Sequence, residues 1–242
     1  MHRRISILVL AGAGLIVPGC NGPSRSNPSP ATRPASVAPG VNDPYADVQD
    51  VGVWVERFER EGREVYAKRS AIAQLVTSRI DATLADVGAG TGLFTMLLAR
   101  RLSEGRVVAV DIVPQFLQHI RELADRTEFA NVDTVLCTED SVELAPDSID
   151  LAFICDTYHH FEYPRETMGS LHAALRPGGE VFVVDFQRIP GQSSDWILEH
   201  VRAGREIVIA EITSYGFELV EDLTETVGLE SNYMLRFRRA AR

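Results

Sequence analysis

The chain has 242 residues, 45% of them apolar and 24% charged, which suits one globular α/β domain and argues against a fibrous, collagenous or wholly disordered protein. The formal net charge is −10, and Arg3 and Arg4 belong to an N-terminal segment, so the rest of the chain is more acidic still. That balance disfavours a nucleic-acid partner, which needs a basic surface to displace counterions from phosphates. Arg236, Arg238, Arg239 and Arg242 gather near the C-terminus, and the last few of them read as a solvated tail.

Residues 1–20 read as an address. Arg3 and Arg4 give a positive start, an apolar run follows that is too short for a comfortable membrane span, and the segment ends in Val17-Pro18-Gly19-Cys20. The ending resembles a bacterial lipobox, which implies lipid on Cys20 and a cell-envelope, membrane-anchored location, with a cytoplasmic location as the alternative. Residues 21–50, rich in Pro, Ser and Asn without hydrophobic period, read as a disordered tether.

Residues 51–242 read as the folded domain. From Trp54 to Val76 apolar residues recur at helical spacing, interrupted near Gly62, for one or two helices. Strands and helices then alternate: TLADV, a helix through LFTMLLARRL, VVAVDI, a helix from Pro114 to Arg126, VDTVLC, IDLAFIC, a helix from Pro164 to Leu175, and EVFVVDF. A loop follows, then a helix from Asp195 capped by Ser193 or Ser194, a helical run ending near Gly216, and the strand candidates FELVED and NYMLRFR. β-Branched runs alternating with helices imply βαβ units and a mostly parallel sheet covered on both faces.

The strongest chemical signal is Asp86-Val87-Gly88-Ala89-Gly90-Thr91-Gly92, a strand running into a glycine loop that opens a helix. Glycines let a ligand lie against backbone beside free N–H groups. Leu93 stands where a dinucleotide fingerprint wants glycine, and Asp86 precedes the loop, which favours a ligand with a charged amino-acid moiety over a pyrophosphate. Asp111, followed by Ile112 at the end of VVAVDI, can accept from two ribose hydroxyls, or serve as a turn aspartate before Pro114. Glu139-Asp140-Ser141 offers a carboxylate to an exocyclic amine, or is a plain acidic loop.

ADVGAGTG, the acidic end of VVAVDI, TEDS, IDLAFICD and LRPGG before EVFVVDF occur in this order. With these motifs the domain, over about Trp54 to Arg238, resembles class I S-adenosylmethionine-dependent methyltransferases. The resemblance implies a Rossmann-like, doubly wound, seven-stranded sheet and S-adenosylmethionine as cofactor. It places Asp86, Gly88, Ala89, Gly90 and Gly92 around the methionine part, Asp111 and Ile112 at the ribose, and Asp140 and Ser141 on the adenine side. TEDS departs from the commoner G-D-A form at Asp140. In the family's strand order Cys137 and Cys155 are three strands apart, too far for a disulfide.

Ligands of open α/β sheets sit beyond the carboxyl ends of the strands, where IDLAFIC runs into Asp156-Thr157-Tyr158-His159-His160-Phe161. Asp156 also reaches the cofactor side, and Asp156, Tyr158, His159 and His160 are the catalytic candidates, either histidine being a possible base. The bland reading has Tyr158 and Phe161 packing and one histidine capping a helix. A second candidate wall is Trp196, Glu199, His200 and Arg202, in which Glu199 and Arg202, three apart, could share a helical face; the alternative is a surface ion pair with a half-buried Trp. Tyr66 and Arg69 would lid the cofactor. The expected acceptor is a small or lipid-like molecule. The alternatives are an envelope-anchored binding module without turnover, and metal-assisted O-methylation through Asp156, Asp185 and a histidine.

Overall fold

The computed structural model of the protein describes residues 34–240, so the address segment, Cys20 and the first part of the tether lie outside the described residues. The described chain opens with a 3-10 turn at Asp43–Tyr45, then α1 (Val51–Phe58), α2 (Glu64–Ala67) and α3 (Arg69–Val76). Asp50 caps α1 by accepting from the Gly52 N–H at 2.8 Å. Next come β1 (Thr83–Val87), α4 (Leu93–Arg101), β2 (Arg106–Asp111), α5 (Pro114–Thr127), β3 (Val132–Leu136) and β4 (Ile149–Cys155). After a 3-10 turn at Tyr158–His160 follow α6 (Pro164–Ala174), β5 (Leu175–Phe186), α7 (Asp195–His200), α8 (Arg205–Ser214), β6 (Phe217–Asp222), α9 (Thr224–Val227) and β7 (Asn232–Arg239). Ser194 is the residue that caps α7, accepting from the Ile197 N–H.

The strands form one seven-stranded sheet in the order β3-β2-β1-β4-β5-β7-β6, parallel except for β7, which runs antiparallel to both β5 and β6. This is the doubly wound arrangement expected from the alternating pattern. Side-chain alternation divides the core in two. Ala152, Ile154, Val181 and Val183 face Met168, Leu171, Val208 and Ile212 of α6 and α8. Leu151, Phe153, Phe182 and Val184 face Ile72, Val76, Phe94 and Leu98 of α3 and α4. Each fully buried Phe there contributes about 1.5–3 kcal/mol of transfer free energy, which sets the pairing register because a one-residue slip would reverse both faces.

Two readings change. LRPGG, which precedes the expected strand EVFVVDF, belongs to β5, and Pro177 is tolerated because the β4–β5 register shifts between Ile149 and Leu151. The C-terminal arginines are not a free tail: on β7, Arg236 pairs with Glu221 and Arg238 with Glu180, while Arg239 pairs with Asp147. Cross-strand placement on β6 and β5 supplies Glu221 and Glu180, the loop before β4 supplies Asp147, and Arg242 lies outside the described residues. Cys137 follows β3 and Cys155 ends β4, with β2 and β1 between them, and both are free thiols.

The chain departs from β1 first towards β2 and β3, then crosses to β4 on the other side. That reversal opens a crevice at the carboxyl ends of β1 and β4.

Candidate active site

A cavity of about 780 Å³ fills this crevice, a size suited to an organic ligand of drug-like dimensions. Its floor is the glycine loop. Gly88, Gly90 and Gly92 take φ of +73°, +53° and +83°, and a Cβ on Gly88 would stand 2.2 Å from the Thr157 side chain, so the loop passes the end of β4 at a distance only glycine permits. The N–H groups of Gly88 and Ala89 both donate to the Val110 carbonyl, tying the loop to β2.

Two buried carboxylates stand beside it. Asp111 accepts from the Gly90 N–H and the Val113 N–H, each at 2.8 Å, and so fastens the loop. Burial pushes it up to about 6 against those donors. Asp86 accepts from the Thr95 hydroxyl at 2.6 Å, and burial raises it further, to about 7, with a smaller push from Asp111. A cationic ligand group in the cavity would therefore meet acids whose charge it stabilises. Ala89 and Ile112 also line the cavity, as do Glu139 and Ser141 from the loop after β3.

The opposite wall comes from the ends of β4 and β5, from α7, and from the segment before α1. Asp156, at φ +47°, accepts from the Arg63 guanidinium and from the Asn232 amide at 2.7 Å; burial nonetheless raises it to about 6. His159 is buried, its Nδ1 lying 2.7 Å from Asp185 Oδ1 while its backbone N–H donates to Oδ2 of the same carboxylate. Burial opposes charge on this ring, but the Asp185 pair outweighs it and raises the pKa. Burial lowers His160 to about 3, aided by repulsion from His159 and His200. His200 at the end of α7 is lowered as well, again mainly by burial. The three rings pack edge to face or tilted with centroids 4.3–5.2 Å apart.

The structure brings Asp86, Gly88, Ala89, Gly90, Asp111, Ile112, Ser141, Asp156, His159 and His160 to one cavity. Three of the expected residues lie elsewhere. Gly92 is the left-handed N-cap of α4, and its missing Cβ makes room for Ile120 of α5. Asp140 accepts from the Thr138 hydroxyl at 2.8 Å and is not among the cavity-lining residues, whereas Glu139 is. Tyr158 is fully buried in the core beneath α8, its hydroxyl donating to Glu211 at 2.9 Å, because the 3-10 turn aims it opposite to His159.

The second wall divides likewise. Trp196 and His200 reach the cavity, but Arg202 makes a two-pronged pair with Glu211 behind Tyr158 instead of meeting Glu199. Arg69 stacks on Tyr66 at 3.9 Å and donates to its carbonyl, so neither is the lid. The lid is Tyr45, Trp54, Phe58 and Arg63. Residues 34–50, read as tether, therefore belong in part to the site: Val48 is buried, Tyr45 stacks near Trp54, and the Asn42 amide donates to the His160 carbonyl at 3.1 Å. Polar composition hid this strip, although Tyr45 and Val48 interrupt it at the spacing of one turn. The hard-oxygen metal set of Asp156, Asp185 and a histidine is not assembled, since Arg63 and Asn232 hold one carboxylate and His159 and Phe186 the other.

Residues 85–183 match the family model described as a methyltransferase domain. A ubiquinone/menaquinone biosynthesis C-methyltransferase of Roseobacter denitrificans is 24% identical over 123 residues, 50% of this chain and 49% of that protein. A malonyl-acyl-carrier-protein O-methyltransferase of a Paenibacillus species is 27% identical over 162 residues, 60% of this chain and 56% of the relative. The chain thus spans about half the length of these curated relatives. A solved SAM-dependent methyltransferase from Aquifex aeolicus has a TM-score of 0.67 at 16% identity, covering 80% of this chain and 100% of that one. YcgJ of Bacillus subtilis gives 0.58 at 13% identity, with 73% and 100% coverage. At such identities the structural likeness is one of fold.

Proposed function

From the premise that this chain carries a class I S-adenosylmethionine-dependent methyltransferase domain, we propose that it moves a methyl group from S-adenosylmethionine to a small or lipid-like acceptor held against the histidine wall. The observation that carries this reading is one cavity that joins the glycine loop and Asp111 to His159, His160 and His200. S-adenosylmethionine fits its first half. The backbone of Gly88, Ala89 and Gly90 lines it, and Asp86 and Asp111 are buried acids whose ionised form a cationic group would stabilise. Asp111 and Ile112 would hold the ribose, and Ser141 with the neighbouring acids the adenine side. When bound, the cofactor supplies an electrophilic methyl on a sulfonium.

This chain's residues then have three tasks: to orient the acceptor, exclude water and remove one proton. Trp54, Phe58 and Phe116 close an apolar roof that suits a small organic acceptor. His159, fixed in one tautomer by Asp185, presents Nε2 as the proton acceptor. Positioning supplies most of the effect, since in-line methyl transfer needs little covalent help. The relatives named above act, by their names, at carbon and at oxygen, and both kinds of acceptor are compatible with this wall.

Calorimetry of the full-length chain with S-adenosylmethionine, followed by a screen of small and lipid acceptors for methylated product, tests the reading. Binding with turnover supports it; binding without turnover on any acceptor leaves the binding-module alternative; no binding overturns both. The lipobox-like segment adds a localisation proposal, lipid on Cys20. Among the described residues no helix is long and apolar enough to cross a membrane. Cys20→Ala should move the protein from the membrane to the soluble fraction, and a wild type already soluble sinks this part.

A further inference from the structure

We propose that His159, His160 and His200 form a binding site for a divalent transition metal of the zinc class, with an open coordination position facing the acceptor half of the cavity. One ring nitrogen from each histidine lies within 4.8 Å of the other two. Tetrahedral zinc with bonds of about 2.0–2.1 Å holds its nitrogens roughly 3.4 Å apart, so small side-chain rotations close the set. Two of the rings come from the rigid turn after β4, and the third from the last turn of α7.

The surroundings are those of a metal site rather than of a stack of rings. Asp185 accepts a hydrogen bond from the Nδ1–H of His159, which leaves Nε2 as a lone-pair ligand, the carboxylate–histidine arrangement that orients metal-bound imidazoles. The Val41 backbone hydrogen-bonds the His160 ring, while His160 Nδ1 is sealed from solvent and has no partner among the described residues. Stacking does not explain a buried nitrogen left without a partner; a metal ion does. Trp196 stacks on His200 at 4.7 Å, and Tyr45 and Phe186 lie edge-on to His160 and His159, holding all three rings in place. A donor set of imidazoles alone suits zinc and its neighbours and not magnesium or calcium.

Three protein ligands leave a fourth position, the signature of a site that takes substrate rather than one closed for structure. Its use rests on the methyl-transfer reading and changes one role in it: with the metal bound, His159 Nε2 is a ligand and no longer the proton acceptor, and an acceptor oxygen or sulfur bound at the open position would lose its proton to solvent more readily and keep its nucleophilic pair close to the sulfonium.

Untagged full-length protein, stripped with a chelator and dialysed, is titrated with Co²⁺ by visible absorption and with Zn²⁺ against a chromophoric chelator. One equivalent of each should bind, with the cobalt spectrum that of a four- or five-coordinate nitrogen site. His200→Ala should weaken Zn²⁺ at least 100-fold, and Asp185→Asn about 10- to 100-fold. His200 lies at the half-exposed end of a helix, so its variant tests the site even where His159→Ala fails to fold. Absence of micromolar binding, or binding unchanged in His200→Ala, overturns the proposal. Asp111→Ala separates the two readings: it should weaken S-adenosylmethionine while leaving Zn²⁺ affinity intact. Metal binding without any S-adenosylmethionine binding would overturn the function and keep the site.

Discussion

The two halves of the cavity are built on different plans. The cofactor half is mainly backbone: two left-handed glycines, a loop tied to the Val110 carbonyl and one carboxylate clamping two N–H groups, all within residues 86–113. The acceptor half is made of side chains drawn from distant segments. Asp156 is held by Arg63 from 93 residues away and by Asn232 from 76 away, and His159 by Asp185 from 26 away. A backbone cradle can serve one ligand unchanged, whereas a side-chain wall can be altered residue by residue to fit an acceptor.

The largest expected effect breaks the halves apart. Replacing His159 and His160 together with alanine should lower the methyl-transfer rate by about 10²–10⁴ and leave S-adenosylmethionine affinity within about threefold. Single-turnover rates and calorimetry on the same preparation check this. An unchanged rate with a lower melting temperature would make the pair structural and erase the division of labour. The reciprocal test is Asp111→Ala, which should weaken S-adenosylmethionine by about 1–3 kcal/mol, roughly 5- to 150-fold, because charge-assisted hydrogen bonds are lost and the loop is unfastened. Wild-type affinity in that variant would remove Asp111 from the site.

This contrast also explains what could be read before the structure. The sheet followed from β-branched runs alternating with helices, and the cofactor half from a contiguous motif whose geometry is local. Register shifts and cross-strand partners are not local, so the sequence places LRPGG only ahead of the strand EVFVVDF and leaves the last arginines as a tail. In the acceptor half, position at the end of β4 was legible but side-chain direction was not. Consecutive residues of a 3-10 turn diverge, and Tyr158 goes under α8 while His159 faces Asp185. The strip of residues 34–50 was missed because mean polarity outweighs two apolar anchors, Tyr45 and Val48, that matter only once α5 and Trp54 are there to receive them.

A smaller effect sharpens the electrostatic side of the comparison. Asp86 is raised from an unfolded value near 3.8 to about 7, so between pH 4 and 7 the folded state holds a proton that the unfolded chain has released. Stability from this group is complete below pH 4 and is lost as pH rises through 7. Asp86→Asn removes the dependence. The melting temperature of the wild type, relative to this variant, should therefore fall between pH 5 and 7.5 in the absence of ligand. Bound S-adenosylmethionine should reduce the fall by favouring the ionised acid. A difference that stays flat across this range would mean that Asp86 is ionised in the fold.

The smallest effect concerns Tyr158, whose place in the sequence beside His159 made it a catalytic candidate and whose place in the fold removes it. Its hydroxyl donates to Glu211, which Arg202 already holds with two hydrogen bonds, and burial pushes the phenol well above its ordinary range, followed by the nearby Glu211 charge. A phenol so placed cannot release a proton near neutral pH or reach the cavity. Tyr158→Phe keeps the ring and deletes one hydrogen bond to a charged group, so it should cost about 1–3 kcal/mol, a few degrees of melting temperature in a domain this size. The rate and its pH dependence should stay at wild-type values. A rate falling 100-fold at unchanged stability would return Tyr158 to the acceptor half and place the α8 side of the turn within reach of the substrate.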